Sequence, residues 1–296
     1  MIIVLGVKNK PDSKEIDLEH QDGIFHNKNG ANIFYQSWLP EGEIKAVLLI
    51  VHGLAEHSGR YMNVVNHFVP LGYAIYSLDH LGHGKSDGMR VFVEHFEDYI
   101  NPLNAYFDMV QGWQPGKAIF LVGHSMGGLI VSNYLIDFQE KVAGAVLSGP
   151  SIKVPENISS TTVFLGKLFS VLLPKLGLIG LEADGISRDP QVVEAYVNDA
   201  LVHTGKTTAR LAAELLKAMI HTTAKADKIT LPVIIVQGGA DKMVDPSGTQ
   251  MLFDTVGSPD KTLKIYDDLY HEVFNESEHN LVLGDIQKWL EIHLPK

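Results

Sequence analysis

Short apolar runs recur along this chain and alternate with stretches of helical periodicity. Ile16 to Phe25 and Ala31 to Trp38 predict two strands around a turn at His26-Asn27-Lys28-Asn29-Gly30, with Pro40 ending the hairpin. Ala46 to Val51 is continuously apolar, the pattern of a strand covered on both faces of a parallel sheet. A helical stretch from Tyr61 to Val69, a strand from Tyr73 to Leu78 and a helix from about Val93 to Gln111 follow. Ala118 to Val122 then runs into Gly123-His124-Ser125-Met126-Gly127, a helix to about Phe138, and a strand from Gly144 to Ser148.

There the alternation stops. From Pro150 to about Asp227 the pattern is helical only, over Thr161 to Leu173, Pro190 to Asp199 and Thr207 to Ala224. It resumes with the run Pro232 to Gln237, a helix near Ser247 to Thr255, the strand Thr262 to Tyr266 and a closing helix from Glu276 to Ile292. The prediction is an α/β fold: a mostly parallel, doubly wound sheet of about eight strands forming one domain over 1–296. A helical cap, 150–227, is inserted after the sixth strand and leaves for the same sheet.

Composition narrows the partners. A formal net charge of −11 over 296 residues argues against nucleic acid, which needs a basic face. The absence of cysteine excludes disulfides and thiolate metal sites. Met1 to Gly6 lacks the basic leader and length of a signal peptide, and no apolar run reaches the ~20 residues of a membrane-spanning helix. The expectation is a cytoplasmic protein, with no nucleic-acid partner and an oligomeric state left open.

The candidate chemistry lies at Ser125. In G-x-S-x-G between a strand and a helix, the serine sits on a strained turn that lifts its hydroxyl clear of the sheet. Gly84-Lys85-Ser86-Asp87-Gly88 matches the same pattern, but a polar, glycine-broken segment separates it from its nearest strand, so Ser86 reads as a loop residue. A serine nucleophile needs a base, and the base an acid that holds its tautomer. Gln237-Gly238-Gly239-Ala240-Asp241 and Asp267-Asp268-Leu269-Tyr270-His271 follow the next two strands, and in a doubly wound sheet such strand ends meet. The expected triad is Ser125, Asp241 and His271, with Asp245 a rival acid. The oxyanion donors should be the N–H groups of Met126 and Leu54. Gly82-His83-Gly84-Lys85-Ser86 lacks the first glycine of a phosphate loop, and Gly123 to Gly128 is not a dinucleotide fingerprint. Neither His271-Glu272 nor His80…His83 has metal-ligand spacing, so neither a metal nor a cofactor is expected.

His52 to Tyr61, Asp79 to Gly88, Gly123 to Gly128 and Lys261 to His271 closely resemble the monoacylglycerol lipase and lysophospholipase branch of the α/β-hydrolases. The resemblance runs from about residue 20 to the C-terminus. It implies the same triad and oxyanion donors, and a cofactor-free hydrolysis of monoacylglycerol to glycerol and fatty acid through an acyl-enzyme. Leu54 departs from the alanine of animal members, which a backbone donor tolerates. The resemblance also implies that His124 and Tyr196 handle the glycerol end, with Glu56 and Arg60 as further substrate contacts. Phe164-Leu165, Leu168-Phe169, Val171 to Leu173 and Leu176 to Leu181 give the cap an apolar surplus suited to a single-chain lipid or to transient contact with a membrane surface. The rival functions are lysophospholipase or broad carboxylesterase and, in another class, a hydrolase-fold binding protein without activity.

Overall fold

The structure, a computed structural model of the chain, describes residues 19–153, 168–180 and 182–295. The start of the first predicted strand (16–18) and most of the first predicted cap helix (161–167, including Phe164 and Leu165) lie outside these residues.

Eight strands form one sheet: β1 (Glu19–His26), β2 (Asn32–Leu39), β3 (Ala46–Val51), β4 (Tyr73–Leu78), β5 (Ile119–His124), β6 (Gly144–Ser148), β9 (Val233–Gly238) and β10 (Lys261–Tyr266). Their spatial order is β1-β2-β4-β3-β5-β6-β9-β10. β2 pairs antiparallel with both β1 and β4, and every other pairing in the sheet is parallel.

The apolar runs form strands because both faces of the sheet are covered. Along β3, Val47, Leu49 and Val51 face one core while Ala46, Leu48 and Ile50 face the other. The first core is closed by α2 (Glu97–Trp113) and α3 (Met126–Phe138), and the second by α1 (Met62–Phe68) and the final helix α7 (His279–His293). The direction of winding reverses between β3 and β5, since β4 lies on one side of β3 and β5 on the other. A crevice opens beyond the carboxyl ends of strands at such a reversal.

The chain between β6 and β9 is not wholly helical, which corrects the sequence expectation. Besides α4 (Pro190–Asn198) and α5 (Ala209–Lys225) it contains a two-stranded antiparallel ribbon, β7 (Gly177–Gly180) with β8 (Lys206–Thr208). Each strand is too short for a periodic signal, and the partners lie far apart in sequence, so nothing local announces the pairing. Helix α5 packs partly into the main core through Leu211 and Ala218. Among the described residues no helix is long and apolar enough to cross a membrane.

Candidate active site

Ser125 stands between β5 and α3 with φ 54° and ψ −117°, a left-handed conformation that costs a non-glycine residue roughly 1–3 kcal/mol. The surroundings hold it there. Its N–H donates to the Ser148 carbonyl at 2.9 Å, and its own carbonyl accepts from Ser151 N–H at 3.1 Å. Two glycines permit the turn: a Cβ on Gly127 would lie 1.9 Å from the Val51 carbonyl oxygen, and one on Gly123 would lie 2.6 Å from that of Gly127. Helix α3 begins at Met126, whose N–H is among the first-turn donors that lack an intrahelical acceptor.

Asp241 lies in the turn after β9. Its Oδ1 accepts from Met243 N–H (2.7 Å) and Val244 N–H (3.0 Å), while its Oδ2 accepts from Gln237 Nε2 (2.8 Å) and from His271 Nδ1 (2.7 Å). Burial alone would raise its pKa, but His271 and these donors outweigh burial and hold the carboxyl below its ordinary range. His271, in the loop after β10, is buried, which lowers an imidazole pKa; Asp241, then Glu272 and Glu56, overcome this and raise it above the ordinary value. Because Oδ2 is an acceptor, the Nδ1–H tautomer is fixed and Nε2 carries the free lone pair. Ser125 and His271 line one cleft of about 600 Å³ of empty volume, open to solvent.

The loop after β3 forms another wall, with Gly53 and Leu54 lining the same cleft. His52 Nε2 accepts from the His80 N–H at 2.9 Å, so its proton is on Nδ1, which donates to the Gly53 carbonyl at 2.8 Å. That bond orients the Gly53–Leu54 peptide. The next residue, Ala55, has φ 66°, and its carbonyl accepts from the N–H of His203, in the segment between β6 and β9, at 2.8 Å. His57 Nε2 donates to Asp199 Oδ2 at 2.8 Å, joining this loop to the same segment a second time.

His124, Tyr196 and Glu56 also line the cleft. His124 Nδ1 lies 3.1 Å from Ser148 Oγ, and its ring sits 4.7 Å from that of His271. Burial, then the neighbouring His271, pushes its pKa down to about 4, so it is neutral at physiological pH. Arg60 is placed differently from the other three: its guanidinium lies behind the lining. It binds Glu56 Oε2 (2.8 Å) and both oxygens of Glu272 (2.6 and 2.8 Å), with the Tyr196 ring 4.6 Å from its centre.

The two rivals have structural duties elsewhere. Ser86 is buried, its Oγ accepting from Phe34 N–H (2.9 Å) and donating to the Asp79 carbonyl (2.6 Å). Asp245 caps α6 (Pro246–Thr255) through Ser247 N–H and pairs with Lys153. Sequence reasoning missed three residues. Gln237 holds Asp241, Ser148 faces His124, and Glu272 clamps Arg60. Gln237 and Ser148 are polar positions at the ends of apolar strands, a signal that could have found them. Glu272 directly follows His271 and gives no such signal, because its partner Arg60 is 212 residues away.

Comparisons with known proteins agree with this architecture. The family model described as serine aminopeptidase, S33 matches residues 42–278. The chain is 37% identical over 270 residues to a monoacylglycerol lipase of Mycolicibacterium smegmatis, covering 91% of this chain and 96% of the relative. It is 33% identical over 267 residues to the Homo sapiens monoglyceride lipase, covering 89% and 88% respectively. The crystal structure of the Paleococcus ferrophilus monoacylglycerol lipase superimposes with a TM-score of 0.78 at 30% identity, covering 94% of this chain and all (100%) of that one.

Proposed function

The chain belongs to the serine aminopeptidase S33 family of α/β-hydrolases, and from that membership and the cleft geometry we propose that it is a serine carboxylester hydrolase cleaving monoacylglycerol to glycerol and fatty acid. The observation that carries the reading is the 2.7 Å contact of His271 Nδ1 with Asp241, with Ser125 on a strained turn in the same cleft.

In this reading His271 Nε2 takes the Ser125 proton as Oγ attacks the ester carbonyl. The oxyanion is met by the N–H groups of Met126 and Leu54, each such donor worth about 3 kcal/mol to the transition state. His271 then protonates the departing glycerol oxygen. Water, deprotonated by the same imidazole, attacks the acyl-enzyme and releases the fatty acid. Asp241 keeps the proton on Nδ1 and stabilises the imidazolium. The polar end of the cleft, at Glu56, His124 and Tyr196, receives the glycerol.

Leu215, Met243 and Val244 add apolar lining to the same cleft, which supports an acyl chain as substrate. Val171 and Leu172 are 68% and 64% exposed, and Leu173 and Ile179 are exposed beside them, which supports transient contact of the cap with a lipid surface. The test is fluorophosphonate labelling, together with turnover of 2-oleoylglycerol, lysophosphatidylcholine and p-nitrophenyl butyrate side by side. Labelling and 2-oleoylglycerol turnover should both vanish in Ser125→Ala. Retained turnover would reject the mechanism, and a higher kcat/KM for lysophosphatidylcholine would change the substrate.

A further inference from the structure

Glu272 takes no part in the steps above, yet it is buried beside His271 and lines the cleft. With Glu56 it holds Arg60 from two sides, and all three side chains are less than 10% exposed (5% to 9%). Two carboxylates against one guanidinium leave one negative charge without a counter-ion. The remaining donors are neutral: Tyr61 Oη–H and Gly53 N–H on Glu56 Oε1, and Asn275 Nδ2 on Glu272 Oε2.

No lysine or arginine is among the described residues that line the cleft. Arg60, which touches the lining residues Glu56, Glu272 and Tyr196, has its N–H groups turned to the two glutamates and its face to Tyr196. A small solvent-open recess, lined by Glu56, Tyr61, His124, Glu272, Phe274 and Asn275, adjoins the cleft through three of the same residues. Among the described residues, the end of the site proposed to receive the alcohol is therefore rich in acceptors and short of positive charge.

We propose that Glu56 and Glu272 make the leaving-group end of the cleft a charge filter, which admits an uncharged or cationic alcohol and refuses a head group carrying negative charge. The proposal rests on Ser125 being the nucleophile, and it deepens that reading by naming the substrate class. Hydroxyls suit the filter because they donate to carboxylates; a phosphate or carboxylate on the alcohol meets like charge. For two like charges held about 7 Å apart, an effective dielectric constant of about 20 corresponds to about 50-fold discrimination.

The experiment uses three octanoyl esters, soluble as monomers, of near-equal size: 2-hydroxyethyl, carboxymethyl and choline. Each kcat/KM is divided by the rate of hydroxide hydrolysis of the same ester. The wild type should favour the hydroxyethyl and choline esters over the carboxymethyl ester about 50-fold. Glu272→Gln should bring that preference within about fivefold. Tyr196→Lys, which adds a cation to the lining beside Arg60 and so offsets the surplus carboxylate charge, should lower it as well and serves if the first variant does not fold. Equal use of the carboxymethyl and hydroxyethyl esters by the wild type, or a preference unchanged in both variants, overturns the filter. Retained turnover of the neutral ester by Ser125→Ala would instead overturn the reading of the site.

Discussion

Replacing Asp241 by asparagine tests the site most sharply, because all four groups around its carboxylate are donors. Met243 N–H and Val244 N–H point at Oδ1, and Gln237 Nε2 and His271 Nδ1–H point at Oδ2. An amide NH2 on the Oδ1 side would face two backbone N–H groups that cannot turn away. On the Oδ2 side it faces Gln237, whose orientation is fixed by Thr249 Oγ1–H donating to Oε1 at 2.7 Å and by Nε2 donating to the Gly238 carbonyl at 3.0 Å. The partner that yields is His271, which moves its proton to Nε2 and accepts at Nδ1. In that tautomer Nε2 has no lone pair for the Ser125 proton, and the imidazolium also loses its counter-charge. The expected loss in kcat is about 10⁴-fold, or about 5.5 kcal/mol of transition-state stabilisation. Asp245→Asn should cost less than about threefold: asparagine caps a helix nearly as well, and the lost ion pair is half exposed, a type worth at most about 1 kcal/mol. Steady-state rates on 2-oleoylglycerol, with fluorophosphonate labelling to count intact sites, make the comparison. A loss below tenfold in Asp241→Asn, or equal losses in both variants, would refute the reasoning.

Four further outcomes are expected. Ser86→Ala should keep fluorophosphonate labelling while losing roughly 1–3 kcal/mol of stability in urea, since it strands Phe34 N–H without its acceptor; lost labelling in folded protein would reopen the choice of serine. The acid limb of kcat/KM should lie above pH 6.5, because the base must be unprotonated and Asp241, Glu272 and Glu56 hold His271 above that value, while His124, facing it, is already neutral there; Glu272→Gln should move the limb to lower pH, and a wild-type limb below pH 6 would contradict the charge arrangement. Gly127→Ala should abolish activity or folding, as its Cβ would lie 1.9 Å from the Val51 carbonyl oxygen, and near-wild-type turnover would show that the elbow is looser than described. Val171→Glu with Leu172→Glu should reduce co-sedimentation with phosphatidylcholine vesicles while sparing p-nitrophenyl butyrate turnover, and unchanged sedimentation would remove this exposed segment from lipid contact.

Much of this protein can be read along the chain. The run Ala46 to Val51 and its counterparts specify buried parallel strands, because a strand covered on both faces has no polar side to show. Gly123-His124-Ser125-Met126-Gly127 specifies the elbow, because the crossing of backbone there leaves no space for a Cβ. Both are local constraints, written into neighbouring residues. Contacts between residues far apart in sequence could only be decided by folding: the pairing of β7 with β8, the 2.7 Å contact of His271 with Asp241, and the burial of Arg60 between Glu56 and Glu272. Sequence supplies a residue's chemistry, but its ionisation, tautomer and partner depend on groups brought alongside from elsewhere in the chain. For that reason Arg60, which the family resemblance implies as a substrate contact, stands in three dimensions behind the cleft lining as the counter-ion of two carboxylates.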